Sequence, residues 1–156
     1  MKVTSMSYGQ FLVNSTQNFT GTYFADTVSG LDHNSVYRFL KHAKMTPRMV
    51  WEKTGSFLEA SEDGYILFDD TVADKDFSFD IDMVRTQYSG NTHGLVKGIG
   101  IVTCVYYQPK TGEFFALDFR VFDPDRDGKS KLDHVREMID HIVYARKIPF
   151  GQIISL

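Results

Sequence analysis

The chain has 156 residues, of which 42% are hydrophobic and 14% aromatic, and carries a formal net charge of -3. That is enough apolar material for one ordinary core or two small modules, and the charge excludes a chain that is a polycation throughout. No apolar run approaches bilayer length, and Met1-Lys2-Val3-Thr4-Ser5 lacks the charged-then-apolar pattern of a secretory signal, so a cytoplasmic protein without membrane contact is expected. The single cysteine, Cys104, lies in the apolar run Ile99 to Tyr107 and reads as a buried reduced thiol.

Charge is unevenly spread. Residues 1–60 carry six Lys/Arg against four Asp/Glu, whereas residues 61–156 carry eleven against sixteen. Between His33 and Trp51 no acid occurs, while Arg38, Lys41, Lys44 and Arg48 all fall in that interval. A local basic face can bind phosphates through counterion release even on an acidic protein, so these four are the candidate DNA-binding residues; an ordinary solvated helix face explains them equally well. Asp32 can cap a helix with Val36, Phe39 and Leu40 on one side, and Thr46-Pro47 opens a second with Val50, Trp51, Thr54 and Leu58 on its buried side. Two short helices joined near Ala43–Met45 fit a helix-turn-helix, so residues 1–62 are predicted as a helical, DNA-contacting segment.

After Gly64 the period changes. Tyr65–Phe68 predicts a strand, 97–107 a longer one, and the turn at Pro109-Lys110-Thr111-Gly112 leads into 113–122, where Phe115, Leu117, Phe119 and Val121 alternate with Ala116, Asp118 and Arg120. In between, Phe77, Phe79, Ile81 and Met83 suggest a short edge piece. Ser130 and Asp133 form a capping-box-like start to a helix over about 131–146 with Leu132, Val135, Met138, Ile139, Ile142 and Val143 on one face, and 151–156 reads as a last strand. The fold class is therefore α+β or mixed α/β: a helical amino-terminal segment, then strand, hairpin, helix and strand over residues 63–156. That order is the first half of an RNase H-like fold, with the last strand expected beside the first and parallel to it. A carboxylate at the end of a buried strand is where a metal-dependent nuclease holds a magnesium ligand, because a hard cation needs oxygens fixed by a rigid element. Asp69 and Asp70 stand there.

Taken together, Phe68-Asp69-Asp70-Thr71, Arg85-Thr86-Gln87-Tyr88-Ser89-Gly90, Lys97-Gly98-Ile99-Gly100 and Phe122-Asp123-Pro124-Asp125 resemble bacterial insertion-sequence transposases of the DDE class. The likeness extends to Leu31-Asp32-His33 and Val36-Tyr37-Arg38-Phe39-Leu40. It implies a DNA strand-transfer enzyme in which three carboxylates hold two magnesium ions, acting on duplex DNA at transposon ends in a bacterial cytoplasm, with a second copy of the chain as a further partner. The family pattern places an acid just after the first strand and a hydroxyl residue within two positions. Asp69 fits that best as catalytic residue and metal ligand, because Thr71 stands two positions on and Asp69 directly follows the apolar run; Asp70 is the alternative, and only one of the two can point at the metals, since successive strand residues face opposite sides.

The second and third acids of the pattern are expected beyond Leu156, so the resemblance implies a truncated or interrupted transposase, inactive by itself. The alternative from a different class is a non-catalytic DNA-binding or interaction module. Asp123-Pro124-Asp125-Arg126-Asp127-Gly128 also opens like a calcium-binding EF-hand loop, but its twelfth position is His134 rather than glutamate, and a turn with a helix cap is the better reading. His134 and His141 have no cysteine pair or third ligand to make a zinc site.

Overall fold

Among the described residues four helices precede the first strand, and side-chain caps mark where each begins. The computed structural model describes residues 2–16, 18–75, 81–90 and 92–155. Helix α1 (Ser5–Asn14) starts at Thr4, which makes a reciprocal capping box with Ser7; α2 (Gly21–Thr27) starts at Thr20, α3 (His33–His42) at Asp32 and α4 (Pro47–Thr54) at Thr46. Each cap side chain accepts from a backbone N–H of the first turn that has no partner within the helix. The starts of α3 and α4 follow the sequence reading. Helices α1 and α2 fall within the segment 1–62 expected to be helical, where the sequence reading placed no individual bounds.

Two compact units are present, Met1–Met45 and Thr46–Leu156. The first has its own core of Val3, Phe24, Ala25, Leu31 and Val36, flanked by Tyr8, Phe11, Val28 and Phe39. Phe24 organises it, with ring centroids 4.6 Å from Phe11 and 5.6 Å from Tyr8. On α3 only Val36 is buried; Leu40, expected on the buried side, is exposed. The division does not coincide with the expected boundary after residue 62, because α4 packs on the sheet of the second unit.

That sheet has five strands: β1 (Tyr65–Asp74), β2 (Arg85–Ser89), β3 (Gly94–Gln108), β4 (Glu113–Phe122) and β5 (Gln152–Ser155). Strand β3 is its spine, pairing antiparallel with β1, β2 and β4, while β5 lies parallel to β1 with Phe68 opposite Ser155. Gly98 of β3 faces Asp74 of β1 and Arg85 of β2, so β2 lies on the opposite edge of β3 from β1 and continues the line of β4. The parallel neighbourhood of first and last strands is as expected. In contrast, β1 runs on through Asp69 and Asp70 to Asp74 instead of ending before them. The expected edge piece is also placed differently: Ile81 and Met83 precede β2, and Phe77 and Phe79 lie outside the described residues.

After β4 comes a short helix α5 (Pro124–Asp127), ended by Gly128 in the left-handed conformation, then α6 (Lys131–Asp140) and a π-helical segment, His141–Arg146. Ser130 and Asp133 make the capping box predicted for α6. Met138 and Ile142 pack into a core formed by Ile66, Phe68, Val102, Cys104, Tyr106 and Leu117. Of the residues expected on the buried face of this helix, Leu132 and Val143 are exposed, whereas His134 is buried. The strand alternation read for β4 breaks as well. Cys104 pairs with Asp118 and Val105 with Ala116, so Leu117 is an extra residue, and Leu117 and Asp118 are both buried. A bulge of this kind puts two successive side chains where alternation allows one.

The loop before β1 is held by side chains of β3. The Tyr106 hydroxyl accepts from the Ser61 amide at 2.8 Å and donates to the Ser61 carbonyl at 2.9 Å, and Gln108 Nε2 donates to the Glu59 carbonyl at 2.5 Å. Gly64 is required beside them, since a Cβ there would lie 1.8 Å from the Tyr106 hydroxyl oxygen.

Candidate functional site

Residues far apart in the sequence meet at the end of the sheet where β1 and β5 both point. Ile66 and Phe68 face inward on β1, so Asp70 shares their side of the strand and Asp69 takes the other. The contacts agree with this parity. Lys131, at the start of α6, donates from Nζ to Asp70 Oδ2 at 2.7 Å, while Asp69 Oδ2 accepts from the Thr71 hydroxyl at 2.8 Å. Asp70 and Lys131 line a cavity of about 180 Å³ with Phe68, Val102, Val135 and Ser155, the last described residue of β5, and Asp69 also borders it.

Phe122 extends this constellation. The Lys131 ammonium lies 5.3 Å from its ring centroid and the Arg85 guanidinium 5.5 Å, both within cation–π range. Arg85 in turn pairs with Asp125 on α5. The residues Asp70, Arg85, Phe122 and Asp125, drawn from three separate motifs, are thus linked through Lys131. Lys131 itself was not singled out from the sequence, because its role depends on the helix start sitting over the Asp70 face of β1.

Two further motif residues shape the backbone nearby. Gln87 of β2 donates from Nε2 to the Gly98 carbonyl at 3.1 Å. A Cβ on Gly100 would lie 2.6 Å from Gln87 Oε1, so the second glycine of Lys97-Gly98-Ile99-Gly100 makes room for that side chain.

A magnesium ion prefers six oxygens in near-octahedral array, and the residues here do not supply such a set. Asp69 and Asp70 leave β1 on opposite faces, and Asp70 already holds an ammonium group. Among the described residues no group of three or more His, Cys, Asp or Glu is placed to hold a metal ion. The EF-hand-like stretch Asp123–Gly128 spans α5 and its left-handed terminus, with Lys129 N donating to Asp127 Oδ1 at 2.9 Å.

The basic residues divide between the units. Arg38 and Lys41 project from exposed positions of α3, and Lys44 lies exposed after it. Arg48 belongs to α4, where it pairs with Glu52 at 2.7 Å. Among the described residues no helix is long and apolar enough to cross a membrane. No family model matches the chain, and neither curated proteins nor solved structures yield a match.

Proposed function

We propose that this chain carries a DDE-transposase-type, partial RNase H-like fold and acts on duplex DNA. The observation that carries the reading is the strand order β4-β3-β1-β5 with β5 parallel to β1, which sets Asp69 and Asp70 of β1 directly after the last β1–β5 pair, Phe68 with Ser155. The convergence of Asp70, Arg85, Phe122 and Asp125 at that place adds support, because nothing in their spacing along the chain requires it.

Within this reading Asp70, rather than Asp69, is the acid turned toward the reacting phosphate. It lies on the α6 side of the sheet, beside the end of β5. Lys131 holds its carboxylate oriented until DNA or a cation replaces the ammonium. One carboxylate on this side fixes no pair of metal ions, which in two-metal enzymes sit about 3.5–4 Å apart. The 156-residue chain is accordingly expected to bind duplex DNA without cutting it.

Binding is tested by titrating a labelled duplex at several salt concentrations. Replacing Arg38 and Lys41 with alanine should weaken binding and flatten its salt dependence by about 0.9 in log–log slope for each lost phosphate contact. Absence of binding by the parent at low salt overturns the proposal. The second reading, a non-catalytic DNA-binding module, is favoured by the pairing of the only inward acid of the Asp69-Asp70 pair with Lys131. A nicking assay with magnesium or manganese on a chain extended by the two missing acids separates the readings. Cutting that disappears with Asp70→Ala and survives Asp69→Ala supports the enzyme; an extended chain that binds but never cuts supports the module.

A further inference from the structure

The second unit contains another charged cavity, away from the Asp70 edge. It has a volume of about 320 Å³ and is lined by Arg48 and Trp51 of α4, Asp118 and Arg120 of β4, and His141 and Arg146 of the π-helical segment. Arg120 donates from Nη1 to Asp118 Oδ1 at 2.6 Å, and Arg146 Nη2 stands 3.8 Å from Asp118 Oδ2. Arg146 also donates from Nη1 to the Leu117 carbonyl at 3.0 Å and stacks over Trp51, 4.6 Å from the ring centroid.

The charges in this cavity do not balance. The side chains of Arg120 and Arg146 are only 20% and 12% exposed, and they share the single buried carboxylate of Asp118. Glu137 lies within the field of Arg120, but its carboxylate is held by Lys129 at 2.6 Å. Glu52 is likewise taken by Arg48. One guanidinium charge is therefore left without a carboxylate in a partly buried place, where an uncompensated charge is costly. Stacking on Trp51 offsets part of that cost. Of the five donors on each guanidinium, the hydrogen bonds of Arg120 and Arg146 to described residues all leave from Nη1, and Nη2 of Arg146 faces Asp118, which leaves Nε and Nη2 of Arg120 and Nε of Arg146 for a further acceptor.

We infer that this cavity is an oxyanion site that takes a phosphate group, with Arg120, Arg146 and Arg48 as its donors. Planar guanidiniums with free N–H pairs match phosphate geometry bidentately, and His141 at the rim adds a further donor. The phosphate belongs either to the backbone of bound DNA or to a free ion. The DNA source rests on the function proposed above; the oxyanion site does not.

Trp51 is the single tryptophan of the chain and forms one wall of the cavity, so its fluorescence reports on this place alone. Inorganic phosphate is titrated against chloride of matched ionic strength, and a short DNA duplex is titrated in parallel. Phosphate should give a saturable change that chloride does not. Arg120→Gln should raise the phosphate dissociation constant by about tenfold, as loss of a charge-assisted hydrogen bond implies. Arg48→Gln, at a side chain 87% exposed and so harmless to folding, should raise it by a smaller factor. A response equal to that of chloride overturns the site, as does one unchanged in both variants. A duplex that displaces phosphate and moves the same signal assigns the ligand to the DNA backbone. A duplex that binds through Arg38 and Lys41 yet leaves Trp51 and bound phosphate unaffected overturns the DNA source and leaves a free-phosphate site.

Discussion

Tyr106 shows how one side chain fixes the entry to the sheet. Its ring is fully buried and its hydroxyl satisfies both the amide and the carbonyl of Ser61. Tyr106→Phe keeps the packing but strands two backbone groups, and is expected to cost roughly 1–3 kcal/mol in urea unfolding. Gly64→Ala should cost at least as much, because the new methyl overlaps the same hydroxyl. Cys104, beneath the same sheet face, has its thiol pushed up to about 12 by burial, with Asp118 adding to the shift. The thiol stays protonated in the folded state, so its contribution to stability is complete below the unfolded value of 9.0 and is lost as pH rises from there toward about 12. Alkylation by iodoacetamide at pH 8 should be negligible in native buffer and rapid in denaturant; equal rates would place the thiol at the surface. The buried reduced cysteine was legible from its apolar surroundings alone. The choice between Asp69 and Asp70 was not, since alternation says that the two diverge but not which of them meets α6.

At the level of elements, sequence signals succeeded wherever a local hydrogen bond carries the information. Ser130 and Asp133 are three residues apart and cap α6 as read, and Thr46-Pro47 opens α4. The hydrogen bonds from Ser130 hold the Asp133 carboxyl below the ordinary carboxylate range. A lowered carboxyl stabilises the folded state above its unfolded value, and this small, solvent-screened contribution fades as pH falls through its folded value. Ser130→Ala should lower stability by about 0.5–2 kcal/mol and shrink that acid dependence; an unchanged acid limb would mean that the box is not formed in solution. Long-range packing defeated the same kind of reading. The bulge at Leu117 arises from the pairing of β4 with β3, and it turns Asp118 inward, which simple alternation along β4 does not foresee. Similarly, burial of His134 in place of Leu132 follows from how α6 lies on β3 and β4. The phosphate cavity is the extreme case: its side chains come from α4, β4 and the π-helical segment, so no stretch of sequence contains it.

At the scale of the whole molecule, the described residues form two hydrophobic cores of different size, one in each unit. The first unit ends at Met45 and closes around Phe24 and Val36, whereas the second gathers five strands, α6 and the π-helical segment around Ile66, Tyr106 and Met138. Small units bury a smaller fraction of their surface and stand nearer the limit of stability. Phe24→Ala would remove the ring that both Tyr8 and Phe11 pack against, and such truncations cost about 3–5 kcal/mol, much of what a unit of this size can hold. Amide hydrogen exchange should therefore accelerate throughout α1, α2 and α3 in this variant while the β1 and β3 amides stay protected. DNA binding should fall with it, because Arg38 and Lys41 are presented by a helix whose seating depends on buried Val36. Loss of protection across both units at once would show that they unfold as one cooperative body. Protection lost in α1–α3 with duplex affinity intact would move the DNA contact off α3 and onto the second unit.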